Sequence, residues 1–276
     1  MAYTATLETP RPSVGEGQGR GEATPRTRPT FLLLFAATLL AGCGSAYNWG
    51  WFVVSPWTEK GQSNLSFLMS GLGWTIALAV SAIVASVVIG LLVSLLSLSR
   101  NRWLRAANRV YVEVFRSIPM LVMVLWVFYG LPIVLGIKLD VFPAGIVALA
   151  LCDSAFEAEI FRAGIQSIER GQHEASESLG MSFIDKMRFI ILPQAIRRVL
   201  PPLGNQFVYM LKTSSLVSVI GLGELTRKAN ELVVTEYRPL EIYTFLILEY
   251  LVLILIVSWG VRRIERRMGA SDRRPA

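Results

Sequence analysis

The sequence predicts an all-α polytopic membrane protein, and three observations predict it. Of 276 residues, 53% are hydrophobic and only 17% charged, with a mean hydropathy of +0.50, whereas soluble domains carry roughly 25% charged residues. The apolar residues gather into blocks near the roughly 20 residues a helix needs to cross a hydrocarbon core. A soluble core would instead show shorter amphipathic runs broken by charge. Finally, arginines punctuate alternate connections between the blocks.

The first block runs from Phe31 to Val54 and is interrupted by Gly42, Gly44 and Asn48. The second, long and uniformly apolar, spans Phe67 to Leu98, and the third Val110 to Leu135, with Pro119 and Pro132 inside it or at its end. The fourth covers Phe142 to Ile165, the fifth Leu203 to Leu222 and the sixth Ile242 to Val261. Pro201-Pro202 is expected to begin the fifth, because proline suits a helix start and resists its interior.

Cytoplasmic loops are enriched in Lys and Arg, so the arginines orient the spans. Arg26 and Arg28 precede the first block. Arg100, Arg102, Arg105 and Arg109 fill the connection between the second and third blocks. Lys186, Arg188, Arg197 and Arg198 lie between the fourth and fifth, and Arg262, Arg263, Arg266 and Arg267 follow the sixth. The other connections are poor in net positive charge. The even-numbered connections and the C-terminus of this multi-pass chain are therefore expected inside the cell. The net charge of +7 follows from this topology. It does not indicate nucleic acid, because the arginines flank spans rather than forming one stripe.

Residues 1–30, rich in Pro, Gly, Thr and Arg, read as a disordered cytoplasmic tail, and residues 266–276 as a second cytoplasmic tail. Residues 31–54 form either an N-terminal transmembrane helix or a signal segment. Leu40-Ala41-Gly42-Cys43 looks like a lipoprotein cleavage site at which Cys43 would be lipidated. An uncleaved helix is preferred, and cleavage at an ordinary signal-peptide site is a lesser alternative. Cys152 lies in a span, so no disulfide framework is implied.

The loop from 166 to 196 is charged and soluble in character. Leu179, Met181, Phe183, Ile184, Met187 and Ile190 are spaced for short amphipathic helices. Gly180 is placed to end one helix and turn the chain, since glycine takes positive φ cheaply. Ser182 is placed to cap a second helix before Pro193. Such a surface serves docking, or it packs only against its own bundle. His173, the single histidine, reads as a loop residue rather than a pH sensor or metal ligand.

Glu174-Ala175-Ser176, Gly180, Ile190 and Leu192-Pro193 resemble the EAA loop in the permease subunits of bacterial ABC importers. Every spacing matches: three residues, Gly, nine residues, Ile, any residue, Leu-Pro. The one departure, Ser176 for alanine, replaces small by small. The segments Tyr111–Pro119, Ala158–Ile165, Gly171-Gln172, Lys212–Leu216 and Val219–Leu225 resemble the polar amino-acid branch of that family. Together the resemblance covers residues 65–265.

It implies a type I ABC importer-like transmembrane domain of five core helices, plus the N-terminal helix or signal segment. It also implies partners: a dimer of ABC ATPases, a second permease subunit (identical or related), and a periplasmic or lipid-anchored substrate-binding protein, all assembled at membrane lipid. The chain holds no Gly-x-x-x-x-Gly-Lys-[Ser/Thr] loop. It is therefore expected to be no enzyme and to carry no cofactor, with ATP-Mg bound by the partner. Glu174, Ala175, Ser176, Gly180, Ile190, Leu192 and Pro193 would couple it to that ATPase. No metal site is expected.

Ionisable residues inside spans face a partner or a wet cavity. Asp153 and Glu157 lie one helical turn apart with no local cation. Either they line a cavity that attracts an amino or guanidinium group, or they are structural. Lys212 with Ser214 and Ser215 would meet a carboxylate, or Lys212 would pair with Asp153 across the bundle. Glu113 with Arg116 and Glu159 with Arg162 read as self-paired structural ions. Glu249 is expected to make a helix–helix hydrogen bond. The rival function is an ion-coupled secondary transporter or channel for small polar solutes. The solute itself is not legible in the chain.

Overall fold

A computed structural model describes residues 47–99 and 101–269. The predicted tail 1–30, most of the first apolar block, Cys43 and Arg100 lie outside the described residues, as do 270–276. The chain divides into two units at Trp49/Gly50. Of the first, only 47–49 is described, with the Tyr47 and Trp49 rings edge to face at 5.5 Å. The second unit begins with a single 3₁₀ turn, Trp51–Val54. The first block therefore does not continue as α-helix to Val54, because residues 47–50 have no helical backbone.

Helix α1, Glu59–Met69, is capped by the Thr58 side chain and gives way at Ser70–Gly71 to α2, Leu72–Ser97. After Asn101, whose side chain caps it, comes α3, Arg102–Ser117. Then follow α4, Met120–Leu125, a π-helical turn, Trp126–Gly130, and α5, Leu131–Leu135. The long α6 is Val141–Gln166. The loop holds α7, Arg170–Ser178, and α8, Phe183–Lys186, which passes through a π-helical turn, Met187–Ile191, into α9, Leu192–Thr213. A 3₁₀ segment, Ser214–Ile220, precedes α10, Leu225–Glu236, and α11, Pro239–Gly269.

Among the described residues, three stretches are long and apolar enough to span a membrane unbroken: Glu59–Ser97, Val141–Gln166 and Pro239–Arg266. Two more qualify as bent pairs, with a 98° bend between α3 and α4–α5 and a 49° bend between Phe183–Ile220 and α10. This corrects two expected blocks. The third does not run straight from Val110, because Pro119 lacks an N–H and Ile118 before it is extended. The fifth does not begin at Pro201-Pro202. Both prolines lie inside α9, and Pro193 is its second residue, directly after the π-helical turn.

The centre of the fold is the α2–α6 pair. Without a hydrophobic force between helices in lipid, close packing relies on small residues, and both helices supply them. Ala79, Ala82, Ser86 and Gly90 of α2 and Ala144, Ala148, Cys152 and Ala155 of α6 are buried. At Gly90 the approach is closest. A Cβ there would lie 2.8 Å from the Glu157 Cβ and 2.9 Å from the Ser154 carbonyl. Helices α4 and α9 pack on this pair through Met123, Val124, Met210 and Leu211. On the other side of the bundle α1, α10 and α11 share a second core around Leu68, Leu225 and Ile242. The outer faces of α2 and α11 are apolar and exposed, with Val84, Val88 and Leu92 on one and Ile247, Leu251 and Ile256 on the other, as lipid contact requires.

Candidate functional site

The loop between α6 and α9 is built as a rigid bracket. Helix α7 ends where Gly180 adopts φ +70°. There the Gly180 N–H donates to the Glu177 carbonyl and the Met181 N–H to the Ser176 carbonyl, at 2.9 and 3.1 Å. These bonds satisfy helix-end acceptors, as a left-handed C-cap does. Ser182 then caps α8: its hydroxyl accepts from the Asp185 N–H at 3.2 Å and donates to the Asp185 carboxylate at 2.6 Å. The helix–turn–helix expected from the sequence is present, but its second helix runs through Pro193 into α9 rather than stopping before it.

The bracket is tied at several points. Lys186 pairs with Glu177 at 2.6 Å, and its ammonium group holds the Glu177 carboxyl below the usual range. The Gln194 amide donates to Gln172 at 3.3 Å, and Arg198 donates to the Ser167 carbonyl. Beneath it Ile168, Ile191 and Ala195 are buried, with Ile190 packed against them.

The seven sequence-predicted loop residues therefore divide. Ser176 is buried, its hydroxyl on the His173 carbonyl at 2.7 Å, and Ile190 packs inward. Both support the bracket from within. Glu174, Ala175, Gly180, Leu192 and Pro193 are exposed. Around them Leu179, Phe183, Ile184 and Phe189 stand 78, 71, 74 and 63% exposed on a polar loop. Such a patch of large apolar side chains marks an interaction surface. Phe189 went unnoticed in the sequence; short helices give too few turns for periodicity to separate inward from outward residues.

A second polar cluster lies within the bundle. Asp153 and Glu157 are fully buried rather than lining a cavity, because small residues on α2 let it close over them. Asp153 accepts from Gln206 on α9 and from the Ser86 hydroxyl on α2, the latter at 3.4 Å. Neither oxygen of Glu157 has a hydrogen-bond partner among the described residues. Tyr111 reaches the same region, its hydroxyl 2.8 Å from that of Ser154. Gln206 and Ser86 were missed, although an amide inside an apolar helical block is itself a signal.

Lys212 does not pair with Asp153. It is exposed and lines a separate cavity of about 580 Å³ between α9 and α11, with Tyr209 and Glu265. Gln206, six residues earlier on the helix, is the group of α9 that reaches Asp153. Ser214 and Ser215, opening the 3₁₀ segment, donate back to the Leu211 and Lys212 carbonyls at the end of α9. Arg116 does not self-pair with Glu113 but crosses to Glu159 on α6 at 2.5 Å, because α3 runs across the end of α6. Arg162 completes the group, 3.8 Å from Glu159. Both oxygens of Glu249 are buried without a partner among the described residues, so the helix–helix bond expected there is not seen among them.

A bundle of straight and bent helices of membrane-spanning length and composition, with a polar loop joining α6 to α9, defines a polytopic helical membrane protein. Residues 86–270 match the family model described as the binding-protein-dependent transport system inner membrane component. Among known proteins, the glutamine transport system permease protein GlnP of Escherichia coli is 37% identical over 208 residues, 74% of this chain and 94% of that protein. The arginine transport system permease protein ArtQ of Bacillus subtilis is 34% identical, over 75% of this chain and 95% of its own. The crystal structure of an amino acid ABC transporter with histidines superposes with a TM-score of 0.71 at 40% identity, covering 75% of this chain and 96% of that one. An inward-facing MetNI methionine ABC transporter shares the fold at a TM-score of 0.65 and 22% identity, over 75% of this chain and 98% of that one.

The chain belongs to the family of binding-protein-dependent transport system inner membrane components. It is a permease subunit of an ABC importer, a non-catalytic multi-pass protein of the inner membrane. The ATPase is a separate subunit, and the family implies a complex with that ATPase and a binding protein.

Proposed function

We propose that this permease moves polar amino acids inward, the class that the names of its relatives specify, and that the loop from Arg170 to Pro193 is where the ATPase grips it. The observation that carries this reading is the exposed patch of Leu179, Phe183, Ile184 and Phe189, held on a bracket whose own core is already filled. The arginine-rich span ends support a cytoplasmic loop and C-terminus in this reading. Closure of two ATPases on bound ATP-Mg would draw the paired loops of two permease subunits together. Because each loop is continuous with α9 and joined to α6, that movement tilts both helices, as packed elements transmit rigid-body motion.

The substrate path in this reading runs along the α2–α6–α9 contact. Tilting α9 would withdraw Gln206 from Asp153 and open the acid to the solute's ammonium group, with Glu157 beside it. Lys212, on the exposed side of α9, would meet the carboxylate; Ser214 and Ser215, bonded back to the end of α9, would shape the backbone there. Co-reconstitution with the ATPase and binding protein in proteoliposomes tests the reading. Uptake of labelled glutamine or arginine should require ATP inside the vesicles. Uptake driven by a proton or sodium gradient without ATPase would contradict it and favour an ion-coupled carrier.

A further inference from the structure

Helix α11 has no part in the transport described above, yet one of its faces is polar. Ser258, Arg262 and Glu265 stand at i, i+4 and i+7, on one side of the helix. Facing them, Asn205, Tyr209 and Lys212 repeat the same spacing on α9. All six line the cavity of about 580 Å³ between the two helices. The helices meet beside it at Gly204, where a Cβ would collide with the Val261 side chain. Lys212, Arg262 and Glu265 make no ion pair among the described residues, and the side chains of Asn205 and Ser258 make no hydrogen bond there. Asn205, Tyr209 and Lys212 are exposed, whereas the exposed faces of α2 and the rest of α11 are apolar. A helix face turned to lipid does not keep such a row, because ionisable groups within spans face a partner or a wet cavity.

The charges around the cavity are two cations and one carboxylate. The backbone of a free amino acid carries one carboxylate and one ammonium group, so this lining neutralises both and keeps one cation in reserve. The reserve serves movement. Lys212 lies at the end of α9 that leads to the 3₁₀ segment, and Arg262 and Glu265 lie near the basic C-terminal end of α11. A carboxylate passing from Lys212 to Arg262 is never left without a counter-charge, which out of bulk water would cost several kcal/mol. The planar guanidinium group also matches a carboxylate in two parallel bonds. The volume falls within the roughly 300–1,000 Å³ of small-molecule pockets.

We propose, on the footing of the amino-acid transport proposed above, that this cavity is an exit site for the solute. An amino acid released from Asp153 rests there before it enters the cytoplasm, its carboxylate passing from Lys212 to Arg262 and its ammonium group on Glu265. Asn205 and Ser258 supply neutral hydrogen-bonding groups for a polar side chain. The same site takes up amino acid that has accumulated inside, which makes the importer sensitive to its own product.

Uptake of labelled glutamine or arginine by the assembled transporter, in proteoliposomes preloaded with unlabelled glutamine, tests this. Internal glutamine should slow the initial rate. Arg262→Gln and Glu265→Gln should each raise the internal concentration for half-inhibition about tenfold, as loss of one charged contact does, and Arg262→Lys should restore most of it. Arg263→Gln should change nothing, since that guanidinium lies over the Trp259 ring at 5.3 Å and not in the cavity. Internal glutaramate, which is glutamine without its ammonium group, should inhibit the natural chain about tenfold more weakly than glutamine. In Glu265→Gln the two compounds should inhibit alike. The glutaramate comparison in the natural chain needs no variant and so stands whether or not a substitution folds. No inhibition by internal glutamine, or inhibition that neither Arg262→Gln nor Glu265→Gln weakens, would overturn the exit site and leave ATP-driven uptake standing. Glutaramate as potent as glutamine in the natural chain would indicate a simple anion site and overturn the assignment to an amino acid. Absence of ATP-driven uptake by the natural chain would overturn the transport reading and the exit site with it.

Discussion

Replacing Gly180 with valine is expected to leave a folded membrane protein that no longer transports. The backbone at Gly180 sits at φ +70°, a conformation that costs an L-residue roughly 1–2 kcal/mol and is a genuine outlier for a β-branched one. A Cβ there would meet nothing within 4 Å, so the penalty is conformational rather than steric, and the turn between α7 and α8 would relax. The bundle core lies elsewhere and should keep its Tm. Uptake and substrate-stimulated ATP hydrolysis in the assembled transporter should fall at least about tenfold for valine, less for alanine, and little for asparagine, which tolerates the left-handed region. Equal loss for all three would mean that the partner's close approach, not the φ angle, demands glycine. Normal uptake by the valine variant would mean the loop does not couple.

The second large effect is expected at Asp153. The carboxylate is fully buried and held by donors from two other helices, Ser86 on α2 and Gln206 on α9. A hydrogen bond to a charged group contributes about 1.5–3 kcal/mol, which corresponds to roughly tenfold to a hundredfold in an equilibrium constant. Asp153→Asn keeps the shape and removes the charge. If the acid meets the solute, arginine uptake should fall by that factor while the ratio of arginine to glutamine transport shifts toward glutamine. Gln206→Leu should lower both rates without moving the ratio, because it releases the acid without neutralising it. A purely structural Asp153 would lower Tm and leave the ratio unchanged. Glu157→Gln should follow Asp153→Asn in direction, since its carboxylate lies one turn away with no partner of its own among the described residues.

The membrane class, the fourth and sixth spans and the glycine turn were legible because each rests on a local rule: span length, charge at span ends, or the φ freedom of one residue. Asn101, Ser182 and Gly180 sit at helix ends as short-range chemistry dictates. What the sequence could not resolve was tertiary. Proline rules made Pro201-Pro202 a helix start, yet α9 passes through both, since its other turns are anchored on α6 and α11. Glu113 and Arg116 have helical pairing distance, but α3 is turned 98° from the next segment, and Arg116 reaches Glu159 more readily. Charge allowed Lys212 either to meet a carboxylate or to pair with Asp153, whereas in the fold it is the amide of Gln206 that reaches Asp153. In the loop, pattern alone could not show that Ser176 and Ile190 face inward while Leu179, Phe183, Ile184 and Phe189 face out. That division turns a motif into a surface.

The central claim is that this surface is the ATPase-docking element, and hydrogen–deuterium exchange on the permease alone and in complex with its ATPase tests it most directly. The account predicts that protection on complex formation is concentrated in residues 174–189, strongest around Leu179 to Ile184, with little change in α1 or the α10–α11 connection. Unchanged exchange across 174–189, with protection appearing elsewhere on the chain, would contradict it.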